Sequence, residues 1–406
     1  MAYDYDRLFE EIRKAGLNPL GSVYTSLDRV FRLPIEEQKA LKASLIAENF
    51  RFHYENNAYY RGLCEQQGVT PSDIRHCDDL IKIPLIPVSQ FKRTDTQKLL
   101  TLGLDKVEVE MRSTGTSGIP SVTRRDSETV TQGFLAVWAM YREFFQFSGG
   151  AILFLMPSPE EVPEMGMIKV SNMLGGLVDT SRFIVKKATF DPQDAVALLM
   201  QWENEHIRHI VGPPFLVHKL VQHLKKHDIR LKLDGETRII TMGGWKRFTG
   251  EAIPREEFNR ECAEYLGVQA EQIRDIYGLI EGNLMAIECS HQWKHVPPWV
   301  HFSARELDDF RKEVHDGRRG VLAIIDPTCL AYPAYILTED MVHLDETSSC
   351  PCGRNGQKVN IIGRLTGAEV GCCAINLDKA MNANEQERVV QSPKGEDPVV
   401  RRCAAT

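Results

Sequence analysis

Apolar residues recur at three- and four-residue intervals through the first part of the chain, as at Leu41, Ile46, Phe50 and Tyr54, with charges between them. This spacing predicts helices over residues 3–64. The pattern breaks at Ile83-Pro84-Leu85-Ile86-Pro87-Val88-Ser89-Gln90-Phe91-Lys92, where two prolines predict an extended segment. Beyond it, short apolar runs alternate with helical stretches. Residues 151–156 read as a buried strand closed by Pro157. Residues 209–211 stop at Gly212-Pro213-Pro214 and lead into a helical pattern over 215–224. Residues 238–242 end at Gly243-Gly244, and residues 321–326 form a later strand. Strand, turn and helix in repetition predict a largely parallel α/β architecture.

Composition narrows the function. The 406 residues carry a net charge of -7, which argues against a general nucleic-acid binder, because phosphate contacts need a basic face. ATP stays open, since a local loop and a metal ion can hold it. The most apolar stretch, 151–157, is too short to span a bilayer, and residues 1–12 carry no apolar core of signal-peptide type. Ten cysteines scattered along the chain differ from a small disulfide scaffold and point to a reducing cytoplasm.

Three segments carry candidate chemistry. Ser113-Thr114-Gly115-Thr116-Ser117-Gly118-Ile119-Pro120-Ser121 interleaves glycines with hydroxyls. Such a loop can turn backbone N–H groups inward as an anion nest, with hydroxyls as further donors to phosphate. No Gly-Lys-Ser/Thr ends it, so it is not a Walker loop. In Asp275-Ile276-Tyr277-Gly278-Leu279-Ile280-Glu281-Gly282, an aromatic ring that can cover a flat base precedes by four residues a carboxylate that can hold Mg²⁺. Gly243-Gly244-Trp245-Lys246 follows a predicted strand, where an open parallel sheet receives a ligand.

In this order the segments resemble the adenylate-forming superfamily of acyl-CoA ligases, luciferases and peptide-synthetase adenylation domains. Its phosphate loop, Ser/Thr-Ser/Thr-Gly-Thr-Thr-Gly-x-Pro, is followed by residues 113–120 with Ser117 for a threonine. Its Tyr-Gly-x-Thr-Glu motif matches residues 277–281 with Ile280 for the threonine, which removes a hydroxyl facing substrate or phosphate. Asp340, in Tyr335-Ile336-Leu337-Thr338-Glu339-Asp340, and Arg364, in Ile362-Gly363-Arg364, resemble the residues that hold ribose. Residues 83–92, Met156-Pro157-Ser158-Pro159, Gly243-Gly244-Trp245-Lys246 and His295-Val296-Pro297-Pro298-Trp299 resemble the LuxE-type acyl-protein synthetase branch. Those enzymes make an acyl-adenylate, pass the acyl group to a cysteine of their own and then to a reductase partner.

The resemblance implies an ATP- and Mg²⁺-dependent α/β enzyme acting on a carboxylic acid. It implies an adenylate-forming N-terminal domain over 1–364, with parallel sheets flanked by helices and a mainly helical front over 1–95. A short remnant over 365–381 and a disordered tail over 382–406 leave the usual swinging C-terminal domain largely absent. ATP phosphates are expected at Ser113, Thr114, Gly115, Thr116, Ser117 and Gly118, and Mg²⁺ at Glu281. Adenine is expected at Tyr277 and ribose at Asp340 and Arg364, with Gly243, Gly244 and Gly278 as further nucleotide-binding positions. Lys246 is a candidate for the charge that the missing domain's lysine supplies elsewhere. The acyl pocket is expected between Phe215, Gly243-Gly244-Trp245 and Tyr277. Two rivals stay open: a ligase delivering to coenzyme A, a carrier protein or an amine, and a non-catalytic nucleotide-binding scaffold.

Gly371-Cys372-Cys373 resembles the Arg-Gly-Cys that carries the acyl group, with Val370 in the arginine's place, so Cys372 is the expected acyl carrier. Cys350-Pro351-Cys352-Gly353-Arg354 is a short thiolate pair of the kind that makes half a zinc site. Cys289 with His295 or His291 is the expected other half. Phenylacetate-CoA-ligase-like proteins show a similar run with a structural zinc, which implies a staple rather than a catalyst. His206, His209, His218 and His223 sit on or beside helical patterns and read as structural.

Overall fold

A computed structural model describes residues 19–113, 120–245, 252–314, 317–346 and 349–365. Its N-terminal layer consists of α1 (Pro19–Thr25), α2 (Leu27–Arg32), α3 (Ile35–Asn56) and α4 (Ala58–Gln67). Asn57 separates the last two, its side chain accepting from the Tyr60 N–H, which satisfies one of the orphan donors of a helix start. The segment 83–92 divides: β1 (Ile86–Pro87) is extended, while Val88–Lys92 closes into a 3-10 turn. The prolines forbid helix only up to Pro87; the five residues after it are free to turn. A hairpin follows, β2 (Val109–Arg112) and β3 (Val122–Arg125), then α5 (Ser127–Phe145), capped by the Asp126 side chain on the Thr129 N–H.

Four crossovers then build the parallel part: β4 (Ala151–Phe154), α6 (Gly166–Asn172), β5 (Thr180–Phe183), α7 (Pro192–Gln201), β6 (Arg208–Gly212), α8 (Pro214–Lys226), β7 (Ile239–Met242), α9 (Arg255–Leu266) and β8 (Ile273–Gly278). The strands that follow are β9 (Met285–Glu288), β10 (Lys294–His295), β11 (His301–Arg305), β12 (Gly320–Asp326), β13 (Ala334–Asp345) and β14 (Lys358–Arg364). All but the hairpin join one sheet in the order β5-β4-β6-β7-β8-β9-β10-β14-β13-β12-β11, with β1 added on β13.

The expected parallel pairing holds from β5 to β8; from β8 to β11 every pair is antiparallel. A parallel pair needs a long crossover, and no α-helix is described after α9 to provide one. β4, β6 and β7 are buried along their whole length, as strands covered on both faces are, whereas the edge strand β5 is only half-buried. Period-two alternation sends Ile152 and Phe154 to the core shared with α5 and α6, and Ala151 and Leu153 to the core shared with α7, α8 and α9. A third core joins α3 and α4 to β1 and the antiparallel strands through Phe50, Tyr60, Tyr335 and Ile336. Strand order reverses between β4 and β6, and in such sheets ligands bind outside the carboxyl ends of the parallel strands. The remnant and tail expected after the hinge lie outside the described residues. Among the described residues no helix is long and apolar enough to cross a membrane.

Candidate active site

A cavity of about 1300 Å³ opens at the carboxyl ends of β7 and β8, and its wall includes Ser113, Gly243, Gly244, Tyr277, Gly278, Glu281, Asp340 and Arg364. Thr114, Gly115, Thr116, Ser117, Gly118, Lys246 and Cys372 lie outside the described residues.

The glycine-rich segment connects β2 to β3 in sequence. At its base the Ser113 N–H donates to the Ser121 carbonyl at 2.9 Å, and the Ser121 N–H donates to Ser113 Oγ at 2.8 Å. Ser113 thus closes the loop with its own hydroxyl oxygen. After β7 the chain turns through Gly243 (φ 85°) and Gly244 (φ 68°), a left-handed path that side chains rarely adopt.

Glu281 sits in the turn between β8 and β9 and is buried. Burial pushes its carboxyl above the ordinary glutamate value, opposed by the Ser121 hydroxyl bonded to it and by the charges of Lys92 and Arg125. Arg125 Nη2 donates to the Ile280 carbonyl at 2.5 Å and to the Gly282 carbonyl at 3.1 Å, and Nη1 donates to Asn283 Oδ1. Asn283 is held in turn: its Nδ2 donates to the Thr129 carbonyl at 2.9 Å, and its N–H to Asp326 Oδ2 at 2.7 Å.

Asp340 and Arg364 face each other across the β13–β14 pair. Arg364 Nε donates to Asp340 Oδ1 at 3.0 Å, and the Tyr277 hydroxyl donates to Asp340 Oδ2 at 2.7 Å. Burial, with the Asp340 charge beside it, keeps the Tyr277 phenol well above its usual value and hence protonated.

Further along the wall, Lys294 Nζ lies 3.0 Å from Asp275 and 3.1 Å from Glu288, and Arg255 lies 2.7 Å from Glu288. Thr241 Oγ1 donates to Asp275 Oδ1 at 2.6 Å. The opposite wall is apolar. Val130, Phe134 and Val137 come from α5, Met167 and Val170 from α6, and Met242 and Leu284 from the sheet side. The α5 residues fall at i, i+4 and i+7, one face of a helix. Phe215 is not in this wall. It packs in the core with α7 and α9, on the other face of the sheet. The periodicity of α8 shows that it has an apolar face but not which side of the sheet receives it.

Away from the cavity, Cys289, His295, Cys350 and Cys352 bring their donor atoms within 4.8 Å of one another. Cys289 Sγ lies 3.6 Å from Cys350 Sγ, and Cys352 Sγ lies 3.4 Å from His295 Nε2. His295 rather than His291 supplies the imidazole. The cluster ties the end of β9, β10 and the β13–β14 connection together. Next to it Arg354 pairs with Glu143 of α5 at 2.6 Å, and the Asn355 N–H donates to the Phe31 carbonyl of α2 at 2.7 Å.

Among the four singled-out histidines, His209 is buried, its Nδ1 accepting from the Arg238 N–H at 3.0 Å. Burial holds it down to about 4, so it stays neutral. Arg125, Asn283, Asp326, Lys294 and Lys92 escaped the sequence reading. Each is a polar residue in a short strand or turn, and no spacing distinguishes it from a surface side chain.

The family profile for LuxE acyl-protein synthetase matches residues 23–382. A long-chain-fatty-acid–luciferin-component ligase of Aliivibrio fischeri is 33% identical over 86% of this chain and 91% of its own length. Its counterpart of Vibrio harveyi is 28% identical over 86% and 90%. The crystal structure of a 2-hydroxyisobutyryl-CoA ligase in complex with 2-HIB-AMP and CoA superposes with a TM-score of 0.63, covering 83% of this chain and 70% of its own, at 12% identity; it speaks for the fold. The chain belongs to the LuxE acyl-protein synthetase family, ATP-dependent enzymes that activate a carboxylic acid as an acyl-adenylate.

Proposed function

We propose that this cavity takes MgATP and a long-chain fatty acid, forms the fatty acyl-adenylate, and releases the acyl group to a thiol. One observation carries the reading: Ser113, Glu281, Asp340 and Arg364, spread over some 250 positions of the chain, share one cavity. The substrate class follows the two relatives' names and suits the apolar wall of α5 and α6.

In this reading the loop 113–118 surrounds the β- and γ-phosphates, and Tyr277, Gly278, Gly243 and Gly244 frame the adenine. Asp340 and Arg364, already oriented by each other, meet the ribose hydroxyls. Glu281 holds Mg²⁺, which neutralises phosphate charge when bound. A fatty carboxylate oxygen attacks the α-phosphorus; the new P–O bond forms as the α–β P–O bond breaks, and pyrophosphate leaves with the electron pair. The chain's contribution is positioning and preorganised charge, to which Lys246 adds a cation. In the second half, a thiolate attacks the acyl carbonyl and AMP leaves. Cys372 is the proposed thiolate, with a reductase or carrier protein as final acceptor, in the cytoplasm. The four-donor cluster suits Zn²⁺, because ~2.3 Å Zn–S bonds in a tetrahedron set sulfurs ~3.8 Å apart. Filled by four protein donors, it serves structure alone.

Exchange of labelled pyrophosphate into ATP, run with saturated acids from acetate to octadecanoate, tests the first half. The long acids should accelerate exchange, and a flat response across the panel overturns the reading. Cys372→Ala should keep exchange and lose thioester labelling. Persistent labelling or product on coenzyme A or an amine assigns a different acceptor.

A further inference from the structure

The mechanism above makes no use of Arg125, yet this guanidinium is 6% exposed and bonded on several sides. It leaves β3 four residues past the base of the 113–121 loop and grips the carbonyls on both sides of Glu281, at 2.5 Å and 3.1 Å. Alternation along β3 puts Ser121, Thr123 and Arg125 on one inward face, and all three are buried. From that face the Ser121 hydroxyl reaches the Glu281 carboxylate itself. Asn283 completes the grip, braced against α5 by the Thr129 carbonyl and against β12 by Asp326. It fits because Gly133 has no side chain: a Cβ there would lie 2.7 Å from Asn283 Oδ1.

We propose that Arg125 is a positioning residue for Glu281. Through the Ile280 and Gly282 carbonyls it fixes the distance between the metal-binding carboxylate and the phosphate loop, so that the hairpin and the β8–β9 turn act as one rigid body. Arginine suits the place because its planar fork reaches the three acceptors from two separate nitrogens, whereas a lysine's donors all leave one ammonium nitrogen. The inference rests on Glu281 as the Mg²⁺ ligand.

The full chain with Arg125→Lys, Arg125→Met or Glu281→Gln is compared with wild type in two measurements. ATP is titrated calorimetrically with Mg²⁺ and again with EDTA, and hydrogen exchange is followed across residues 278–284. Glu281→Gln should abolish the tightening that Mg²⁺ confers. Arg125→Lys should reduce it about tenfold, the scale of losing charged hydrogen bonds, leave binding in EDTA unchanged, and speed exchange in 278–284 alone. Where Arg125→Met does not fold, Gly133→Ala disturbs the same clamp through Asn283 and should give a smaller loss of the same kind. If Glu281→Gln keeps the Mg²⁺ effect, the metal-ligand reading itself fails. If it loses the effect while Arg125→Lys keeps it, or if Arg125→Lys loosens the whole sheet, the positioning role is overturned.

Discussion

Two polar clusters in this molecule are each assembled from distant stretches of chain, and they are built to opposite plans. At Cys289, His295, Cys350 and Cys352, four donors, three thiols and an imidazole, lie within 4.8 Å of one another, enough to fill a tetrahedral metal site from the protein alone. At Glu281, a single carboxylate borders a cavity of about 1300 Å³; Arg125 holds the backbone on both sides of it, and the Ser121 hydroxyl bonds the carboxylate itself. A closed donor set stabilises a fold; an open one leaves places for substrate. The clusters are mechanically linked, since β10, which carries His295, pairs with both β9 and β14, and those strands lead to Glu281 and Arg364.

That contrast can be broken by finding a fold effect at the cavity or a purely catalytic effect at the cysteines. The largest change is expected at the closed cluster. Cys352→Ser, or prolonged chelation, should cost about 3–5 kcal/mol of stability, as losing a structural metal or a buried network does. Urea melts and zinc content by atomic absorption check it, and unchanged melting with no bound zinc would remove the metal. Next comes Glu281→Gln, expected to slow pyrophosphate exchange about a hundredfold, ~2.7 kcal/mol of barrier, while the melting curve stays in place. A lowered melting midpoint would show that Glu281 is a structural group.

Acid supplies a smaller effect that should touch both clusters alike. Burial holds the His53 imidazole down to about 3 and His209 to about 4, against 6.5 when unfolded. The unfolded chain therefore takes up protons first, and stability is complete above pH 6.5 and falls as pH drops toward 4. Each group contributes about 2 kcal/mol of loss by pH 5, and the slope should be shallower in His53→Gln. The smallest change is expected at the ribose end. Asp340→Asn keeps the shape but weakens the Arg364 pair, and should raise the KM for ATP about tenfold, ~1.4 kcal/mol, with little change in kcat. An equal fall in kcat would move Asp340 into the chemical step.

The residues legible in the sequence are those whose chemistry demands a residue type at a fixed spacing. Tyr277 and Glu281, four residues apart, line one cavity with Asp340 and Arg364, which the family resemblance had singled out, and the Cys-Pro-Cys run meets Cys289 and His295. What stayed hidden was the support. Arg125 touches Asn283 across 158 positions, and Asn49 donates to the Cys329 carbonyl across 280; nothing local marks either residue as a partner.

Local pattern by itself determined the elements. Apolar runs made β4, β6 and β7, three-and-four spacing made α3 and α8, and a glycine pair ended β7, because backbone geometry and burial act over a few residues. Only the tertiary structure decided that α8 buries Phe215 away from the cavity, that the sheet turns antiparallel after β8, and that an arginine on a hairpin grips the turn bearing Glu281. Those outcomes depend on which surfaces meet, and a buried charge finds its partners through the fold rather than along the chain.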